Sequence, residues 1–262
     1  AYRAKIHYEV AGDGPPIVFL HGFDGNSLGW FQQLPFFARH YRAITVDLRT
    51  YVGSTCAYDD FHPRHFVEDL AAVLDAERVE AAAFICQSLG AWGAMPLAIQ
   101  QPKRVACIAI NGSPTPAYSP GNWIVLQRAI QIANATLRRE IGANAPLGFA
   151  PDFAARRPEL FHLYFRLNEL NGPRDLSTVA ADELKLYPRD LARYRTPTLV
   201  TGGAHDHFLT PENHKHVATL IPFAECHTFP DAGHSAFYET PGDFNRTVGA
   251  FLAKHFPGRD AR

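Results

Sequence analysis

The strongest constraint on the fold is an alternation of short apolar runs with longer amphipathic segments along most of the chain. The short runs have the length of buried strands, and the segments between them have the length and spacing of helices. This alternation is typical of a mostly parallel sheet covered by helices on both faces. The predicted strands are 17–20, 41–46, 81–86, 105–110, 198–201 and 226–229, and the predicted helices are 67–76, 89–100, 211–220 and 243–256.

The alternation stops between residues 113 and 195. This segment opens with Pro- and Ser-rich sequence and continues with helical patterns at 123–137, 159–170 and 180–187, without a convincing strand pattern. Such a stretch inside an alternating chain predicts a helical insertion that lies on the sheet. We therefore expect an α/β core domain made of residues 1–112 and 196–262, with a helical cap at 113–195.

Composition is typical of a soluble globular protein and argues against several partners. The 262 residues are 47% hydrophobic and 19% charged, which is too apolar for a disordered chain. A formal net charge of −1 gives no overall field that would attract nucleic acid or an anionic membrane surface. No apolar stretch approaches the roughly 20 residues of a membrane helix. The 4 cysteines are far apart and favour a reducing compartment, so we expect a cytoplasmic location.

Ser88 lies where a predicted strand runs directly into a predicted helix. The residues two positions away on either side, Cys86 and Gly90, are both small. A nucleophilic serine on a strained strand-to-helix turn needs small residues there, usually as G-x-S-x-G, because the strand and the helix approach closely. The segment therefore predicts a nucleophile elbow in which Cys86 replaces the first glycine. The same geometry points Cys86 into the sheet, which argues against a cysteine nucleophile.

Two further residues with the chemistry of a catalytic triad follow other predicted strands. Asp206 follows the strand at 198–201, and His234 follows the strand at 226–229. Because the carboxyl ends of parallel strands meet at one edge of a sheet, we expect these residues to meet Ser88 there. His234 would take the proton from the Ser88 hydroxyl, and Asp206 would hold the imidazole in the required tautomer.

Two other positions fit the role of the acid less well. Asn111 follows the strand at 105–110, but it is an amide. Asp231 is closer in sequence to His234, but it lies in a Pro-Asp-Ala-Gly turn that accounts for it. Asp206 is therefore the predicted acid.

The predicted oxyanion hole consists of two backbone N–H groups. The sequence His-Gly-Phe follows the strand at 17–20, at the position where one donor belongs. The other donor belongs to the residue after the serine. The N–H groups of Phe23 and Leu89 are thus expected to stabilise a tetrahedral oxyanion.

Together, these motifs resemble the α/β-hydrolase fold superfamily over essentially the whole chain. Residues 12–23 resemble its opening strand and oxyanion turn, and 47–54 resemble its D-x-R-x-x-G-x-S loop with Thr50 where a glycine is frequent. Residues 233–241 resemble its catalytic-histidine turn. The resemblance implies the α/β-hydrolase fold, with a mostly parallel central sheet flanked by helices and an inserted helical cap. The motifs are similar to those of small bacterial esterases, enol-lactonases and C–C bond hydrolases.

The expected activity is cofactor-independent hydrolysis of a small to medium, largely apolar carboxylic ester or lactone through an acyl-enzyme. The expected partner is a small-molecule substrate, and the sequence does not indicate an oligomeric state. Relatives with the same triad also act as C–C bond hydrolases, lyases or cofactor-free dioxygenases, and some members of the fold are ligand receptors. These alternatives stay open. An aspartate in place of Ser88 is typical of relatives that open epoxides or remove halide, so both of those chemistries are disfavoured.

Two groups of residues have less specific interpretations. Trp123, Phe161 and Tyr164 in the cap either line a substrate pocket or form the cap's own core. Two pairs of histidines at i, i+2 spacing would splay apart on a strand or helix and lack a third ligand, so no metal site is predicted. These pairs are His205 with His207 and His214 with His216.

Overall fold

A seven-stranded sheet runs through the residues described by this computed structural model, which are 4–57, 61–137, 148–172 and 174–259. In chain order the strands are β1 (Tyr8–Ala11), β2 (Pro16–Leu20), β3 (Arg42–Val46), β4 (Ala82–Gln87), β5 (Val105–Asn111), β6 (Thr198–Gly203) and β7 (Glu225–Phe229). Their order in the sheet is β1-β3-β2-β4-β5-β6-β7. β1 is antiparallel to β3, and all the other neighbouring pairs are parallel.

The central strands read as continuous apolar runs because both faces of the sheet are covered. In β4, Ala83 and Ile85 pack into one hydrophobic core, while Phe84 and Cys86 pack into the other. Successive side chains of a strand point to opposite faces, so each core takes alternate residues. The prediction of a mostly parallel sheet flanked by helices is confirmed.

Helices lie on both faces of this sheet. Residues of α2, α3 and α8 enter the core on one face, and residues of α1 and α10 enter the core on the other. No helix in the described ranges is long and apolar enough to cross a membrane. The α-helices of the described residues are α1 (Leu34–Phe37), α2 (Phe66–Ala76), α3 (Ala91–Gln100), α4 (Pro120–Leu137), α5 (Phe153–Arg156), α6 (Pro158–Asn168), α7 (Pro188–Leu191), α8 (Pro211–Leu220), α9 (Ala236–Glu239) and α10 (Pro241–His255).

Between β5 and β6 the described residues form α4 to α7 and short 3₁₀ turns, without a β-strand. The predicted helix at 180–187 is wrong. Two 3₁₀ turns, Leu176–Ala180 and Asp182–Leu184, occupy this region instead. Ala181 between them has an extended backbone (φ −60°, ψ 140°), which prevents a continuous helix. Residues 138–147 and 173 of the predicted cap lie outside the described residues. The division at 113 and 195 stays a prediction.

Candidate active site

Ser88 lies on the sharp turn between β4 and α3. Its backbone is left-handed, with φ +43°, a strained conformation for any residue other than glycine. The turn is tight, because a Cβ atom on Gly90 would lie 2.7 Å from the carbonyl oxygen of Leu20. The hydroxyl of Ser113 donates to the Ser88 carbonyl at 2.8 Å and helps to fix the turn. The local geometry is that of a nucleophile elbow.

Asp206 and His234 form a hydrogen-bonded pair at the neighbouring strand ends. The Asp206 carboxylate is buried, and its Oδ2 accepts from Nδ1 of His234 at 2.9 Å. Its Oδ1 accepts the backbone N–H groups of Phe208 at 2.8 Å and Leu209 at 2.9 Å. With the proton held on Nδ1, Nε2 of His234 is the nitrogen that can act as a base.

Asp206 and His234 shift each other's pKa in opposite directions, and both shifts favour the charged forms. Burial acts to raise the pKa of Asp206, but the charge and hydrogen bond of His234, together with the nearby His214 ring, outweigh it. The pKa of Asp206 is therefore held well below its usual range. Burial acts to lower the pKa of His234, but the charge and hydrogen bond of Asp206, with smaller contributions from Asp24 and Glu239, raise that pKa above its ordinary value.

The backbone around His234 is held from several sides. Its carbonyl accepts from Nε2 of Gln87 at 3.0 Å and from Nδ2 of Asn111 at 3.0 Å. The N–H groups of the residues on either side of His234 donate to Oε1 of Glu239 at 2.9 and 3.3 Å. Gly112, with φ +55°, allows the close approach, since a Cβ atom there would lie 2.8 Å from the His234 carbonyl. Sequence analysis missed this supporting role of Gln87, Asn111 and Glu239.

A buried histidine orients the predicted oxyanion turn. Nε2 of His21 accepts the N–H of Leu48 at 3.0 Å, so Nδ1 carries the ring proton and donates to the Gly22 carbonyl at 2.7 Å. Burial lowers the pKa of His21 to about 4, which keeps the ring neutral. The Gly22 carbonyl and the Phe23 N–H belong to one planar peptide group and point in opposite directions. His21 therefore fixes the direction of the Phe23 N–H.

The second predicted donor, Leu89, lies in the 3₁₀ turn Ser88–Gly90 that leads into α3. The first N–H groups of a helix have no partner within the helix and carry its positive dipole end. This environment suits the N–H of Leu89 to an oxyanion.

Ser88 and His234 line one cavity of about 380 Å³, together with Phe23 and Leu89. One wall is a face of α4, since its lining residues have the i, i+3, i+4, i+7 spacing of a single helix face. These residues are Leu126, Ala129, Ile130 and Ala133. Polar lining residues include Asp24, Asn168 and Arg174. The cavity therefore offers both apolar surface and a cluster of polar groups.

The three cap aromatics are placed differently. Tyr164 lines the cavity. Trp123 packs with its ring centroid 5.7 Å from that of Tyr118. Phe161 packs against Phe149, at a centroid distance of 5.5 Å. Tyr164 is thus in reach of a ligand in this cavity, while the other two contribute to packing.

The two histidine pairs have different surroundings. His214 is fully buried, with Nε2 3.5 Å from Oδ2 of Asp206, whereas the exposed His216 contacts Ser119 Oγ at 2.9 Å. His205 and His207 are both exposed. Within the described ranges, no group of three or more His, Cys, Asp or Glu side chains could hold a metal ion. Sequence analysis missed the contact of His214 with Asp206.

The chain belongs to the alpha/beta hydrolase family, whose model matches residues 17–247. It is 26% identical over 250 residues to the sn-1-specific diacylglycerol lipase ABHD11 of Mus musculus, covering 91% of this chain and 81% of that protein. It is also 26% identical over 268 residues to the 2-hydroxy-6-oxo-6-phenylhexa-2,4-dienoate hydrolase of Burkholderia cepacia, covering 95% and 91%.

A solved structure described as "Est816 as an N-Acyl homoserine lactone degrading enzyme" is also similar. Its TM-score is 0.80 at 28% sequence identity, and the match covers 95% of this chain and 97% of that one. The predicted family and fold are confirmed, as is the prediction that the chain is an α/β-hydrolase enzyme.

Proposed function

We propose that this chain is a cofactor-independent serine hydrolase that cleaves a small to medium, largely apolar carboxylic ester or lactone. Ser88 is the nucleophile, His234 the general base and acid, and Asp206 the residue that orients and charges the imidazole. The N–H groups of Phe23 and Leu89 form the oxyanion hole. The proposal includes a cap at 113–195 over the site and a cytoplasmic location.

One observation carries this proposal: a serine with a strained backbone shares a cavity with a histidine that a buried carboxylate holds. Ser88 has φ +43°, and both Ser88 and His234 line the cavity. His234 bonds to Asp206 at 2.9 Å. The apolar face of α4 in the cavity wall supports an apolar acyl group, because burying such a group there removes it from water.

The chemistry follows from these positions. His234 Nε2 takes the Ser88 proton while the serine oxygen attacks the substrate carbonyl, and the two N–H groups stabilise the resulting oxyanion. His234 then protonates the departing alkoxide, leaving an acyl-enzyme. Water, activated by the same imidazole, releases the acid and restores Ser88.

A C–C bond hydrolase acting through the same triad is the second candidate. It is favoured by the similarity to the Burkholderia cepacia dienoate hydrolase across 95% of this chain. A lyase, a cofactor-free dioxygenase and a ligand receptor remain alternatives from the sequence, without a further observation in their favour.

Turnover by a Ser88→Ala variant separates these candidates. The panel consists of 4-nitrophenyl esters of increasing acyl length, simple lactones and a vinylogous diketone, and the control is Ser177→Ala, which alters an exposed serine outside the cavity. We expect the parent to cleave esters or lactones and Ser88→Ala to lose more than about 10⁴-fold in kcat, with the control unchanged. Ester turnover that survives in Ser88→Ala, or a parent active only on the diketone, would contradict the proposal.

A further inference from the structure

The C-terminal end of α6 and the segment that follows it are bonded to the loop that contains the candidate oxyanion turn. Nδ2 of Asn26 donates to the Leu167 carbonyl at 2.8 Å and to Oδ1 of Asn171 at 3.1 Å. Nδ2 of Asn171 donates in turn to the Gly25 carbonyl at 3.0 Å. Residues about 145 positions apart in the chain thus hold each other in place.

Arg174 extends this contact to the turn itself. Its Nε donates to the carbonyl of Phe23 at 3.1 Å, while Nη1 and Nη2 donate to the Gly172 carbonyl at 3.0 Å and to Oδ1 of Asn168 at 2.7 Å. The guanidinium carbon lies 5.0 Å from the centre of the Phe23 ring and 5.1 Å from that of Tyr51. The Tyr51 hydroxyl donates to the same Phe23 carbonyl at 3.0 Å. The fork of Arg174 is therefore held rigidly against Phe23.

Both peptide groups that flank the Phe23 α-carbon are fixed by hydrogen bonds. His21 holds the preceding group through the Gly22 carbonyl, and Arg174 and Tyr51 hold the following group through the Phe23 carbonyl. The Phe23 N–H lies in the preceding group, and the following group restrains the Phe23 α-carbon to which that nitrogen is bonded. His21 and Tyr51 belong to the part of the chain before β4, whereas Arg174 belongs to the segment between β5 and β6.

From this geometry we infer that Arg174 is a positioning residue for the oxyanion hole, so that the segment between β5 and β6 completes the catalytic centre as well as covering it. The inference rests on the proposed function, because it assigns Arg174 a role through the Phe23 N–H. Donors stabilise an oxyanion only when they lie about 2.7–3.1 Å from it, so a small rotation of the peptide weakens the hydrogen bond.

An effect through the oxyanion hole has a specific kinetic signature. The oxyanion exists in the transition state and not in the bound substrate, so misplacing its donor lowers kcat and leaves KM nearly unchanged. A residue that binds the substrate directly would instead change KM. The split between kcat and KM therefore distinguishes positioning from binding.

The test compares Arg174→Gln and Arg174→Lys with Arg166→Gln, using 4-nitrophenyl butyrate as substrate. Arg166 is a matched control because it is an exposed arginine on α6 that pairs with Glu169 and does not line the cavity. Complete loss of one oxyanion donor costs about 10²–10³-fold, so we expect Arg174→Gln to lose about 10- to 100-fold in kcat, with KM within about threefold of the parent. Arg174→Lys keeps the charge but not the fork, so it should lie between Arg174→Gln and the parent.

Rescue by added guanidinium separates loss of the Arg174 side chain from poor folding of the variant. Arg174→Ala is assayed with and without millimolar guanidinium ion, which can occupy the vacated site, and methylguanidinium serves as a bulkier comparison. We expect guanidinium to restore part of kcat in Arg174→Ala and to leave the parent and Arg166→Gln unaffected. Restored turnover reports on the site, whereas a merely misfolded protein gains nothing from the added ion.

Three results of the ester assay would overturn the inference: an unchanged kcat in folded Arg174→Gln, a loss confined to KM, or a kcat loss in Arg174→Ala that guanidinium does not relieve. The rate at which a small phosphonate reacts with Ser88 separates this failure from failure of the proposed function. An unreactive parent that does not hydrolyse the ester would overturn both. A reactive parent with an equally reactive Arg174→Gln would overturn the role of Arg174 alone.

Discussion

Replacement of Asp206 by asparagine tests the proposed triad at the level of single hydrogen bonds. Oδ1 of Asp206 accepts two backbone N–H groups, at 2.8 and 2.9 Å, and Oδ2 faces Nδ1 of His234 at 2.9 Å. In Asp206→Asn the amide oxygen must take the Oδ1 position, because the two N–H groups need an acceptor. The amide nitrogen then faces His234 and donates to Nδ1. This forces the ring proton onto Nε2, which can no longer accept the Ser88 proton.

The expected loss is large and has a second signature in the pH dependence. A wrong tautomer in an otherwise intact triad costs about 10⁴-fold in kcat, equivalent to about 5 kcal/mol of transition-state stabilisation. The charge and hydrogen bond of Asp206 also raise the pKa of His234, so their removal leaves burial to lower it. In the pH–rate profile of the residual activity, the fall at low pH should therefore occur at a lower pH than in the parent.

The assay measures kcat and kcat/KM for a 4-nitrophenyl ester between pH 5 and 9. Asp231→Asn is the matched control, because Asp231 is exposed and nearer to His234 in sequence. We expect the control to retain the parent's activity. Activity of Asp206→Asn within about tenfold of the parent, or a comparable loss in Asp231→Asn, would refute the assignment of the acid.

Three other changes test the surroundings of His234. Gly112→Ala should lower the free energy of unfolding by about 2 kcal/mol or more, measured by denaturant titration, because a left-handed alanine would crowd the His234 carbonyl; an unchanged transition midpoint would contradict this close approach. Asp24→Asn should shift the acid limb of kcat/KM to lower pH, since the Asp24 charge raises the pKa of His234; a shift to higher pH would contradict the direction. Burial raises the pKa of Glu239 to about 7, above its unfolded value, so the folded protein binds more protons than the unfolded chain between pH 4.5 and 7. The free energy of unfolding of the parent, relative to that of Glu239→Gln, should therefore fall as pH rises over this range. Unfolding titrations of both proteins in which this difference is flat or rises would contradict the raised pKa.

The central sheet was predictable because burial on both faces requires a simple sequence pattern. Strands such as β4 need apolar side chains at nearly every position, so they appear as uninterrupted apolar runs. Edge strand β1 was missed, since it pairs on one side only and two of its four residues are exposed. The helix expected at 180–187 failed for a local reason, the extended backbone at Ala181.

The residues of the candidate site also differ in how far the sequence alone could predict them. Ser88, Asp206 and His234 could be predicted as site residues because each follows a predicted strand, and parallel strands bring their carboxyl ends together. The side chains that bond to the backbone around these residues are not marked by any such sequence pattern. Gln87 reaches the His234 carbonyl across 147 positions, and Arg174 reaches the Phe23 carbonyl across 151. Single polar residues at such separations can be paired only once the fold is known.

The most direct test of the serine mechanism is the intact mass of the protein after incubation with a small organophosphonate, with Ser88→Ala treated in parallel. An activated serine with a working oxyanion hole attacks phosphorus, displaces the leaving group of the phosphonate and keeps the phosphonyl group. The account predicts one adduct on the parent and none on Ser88→Ala. A parent that stays unmodified, or an adduct that persists in Ser88→Ala, would contradict the assignment of Ser88 as the nucleophile.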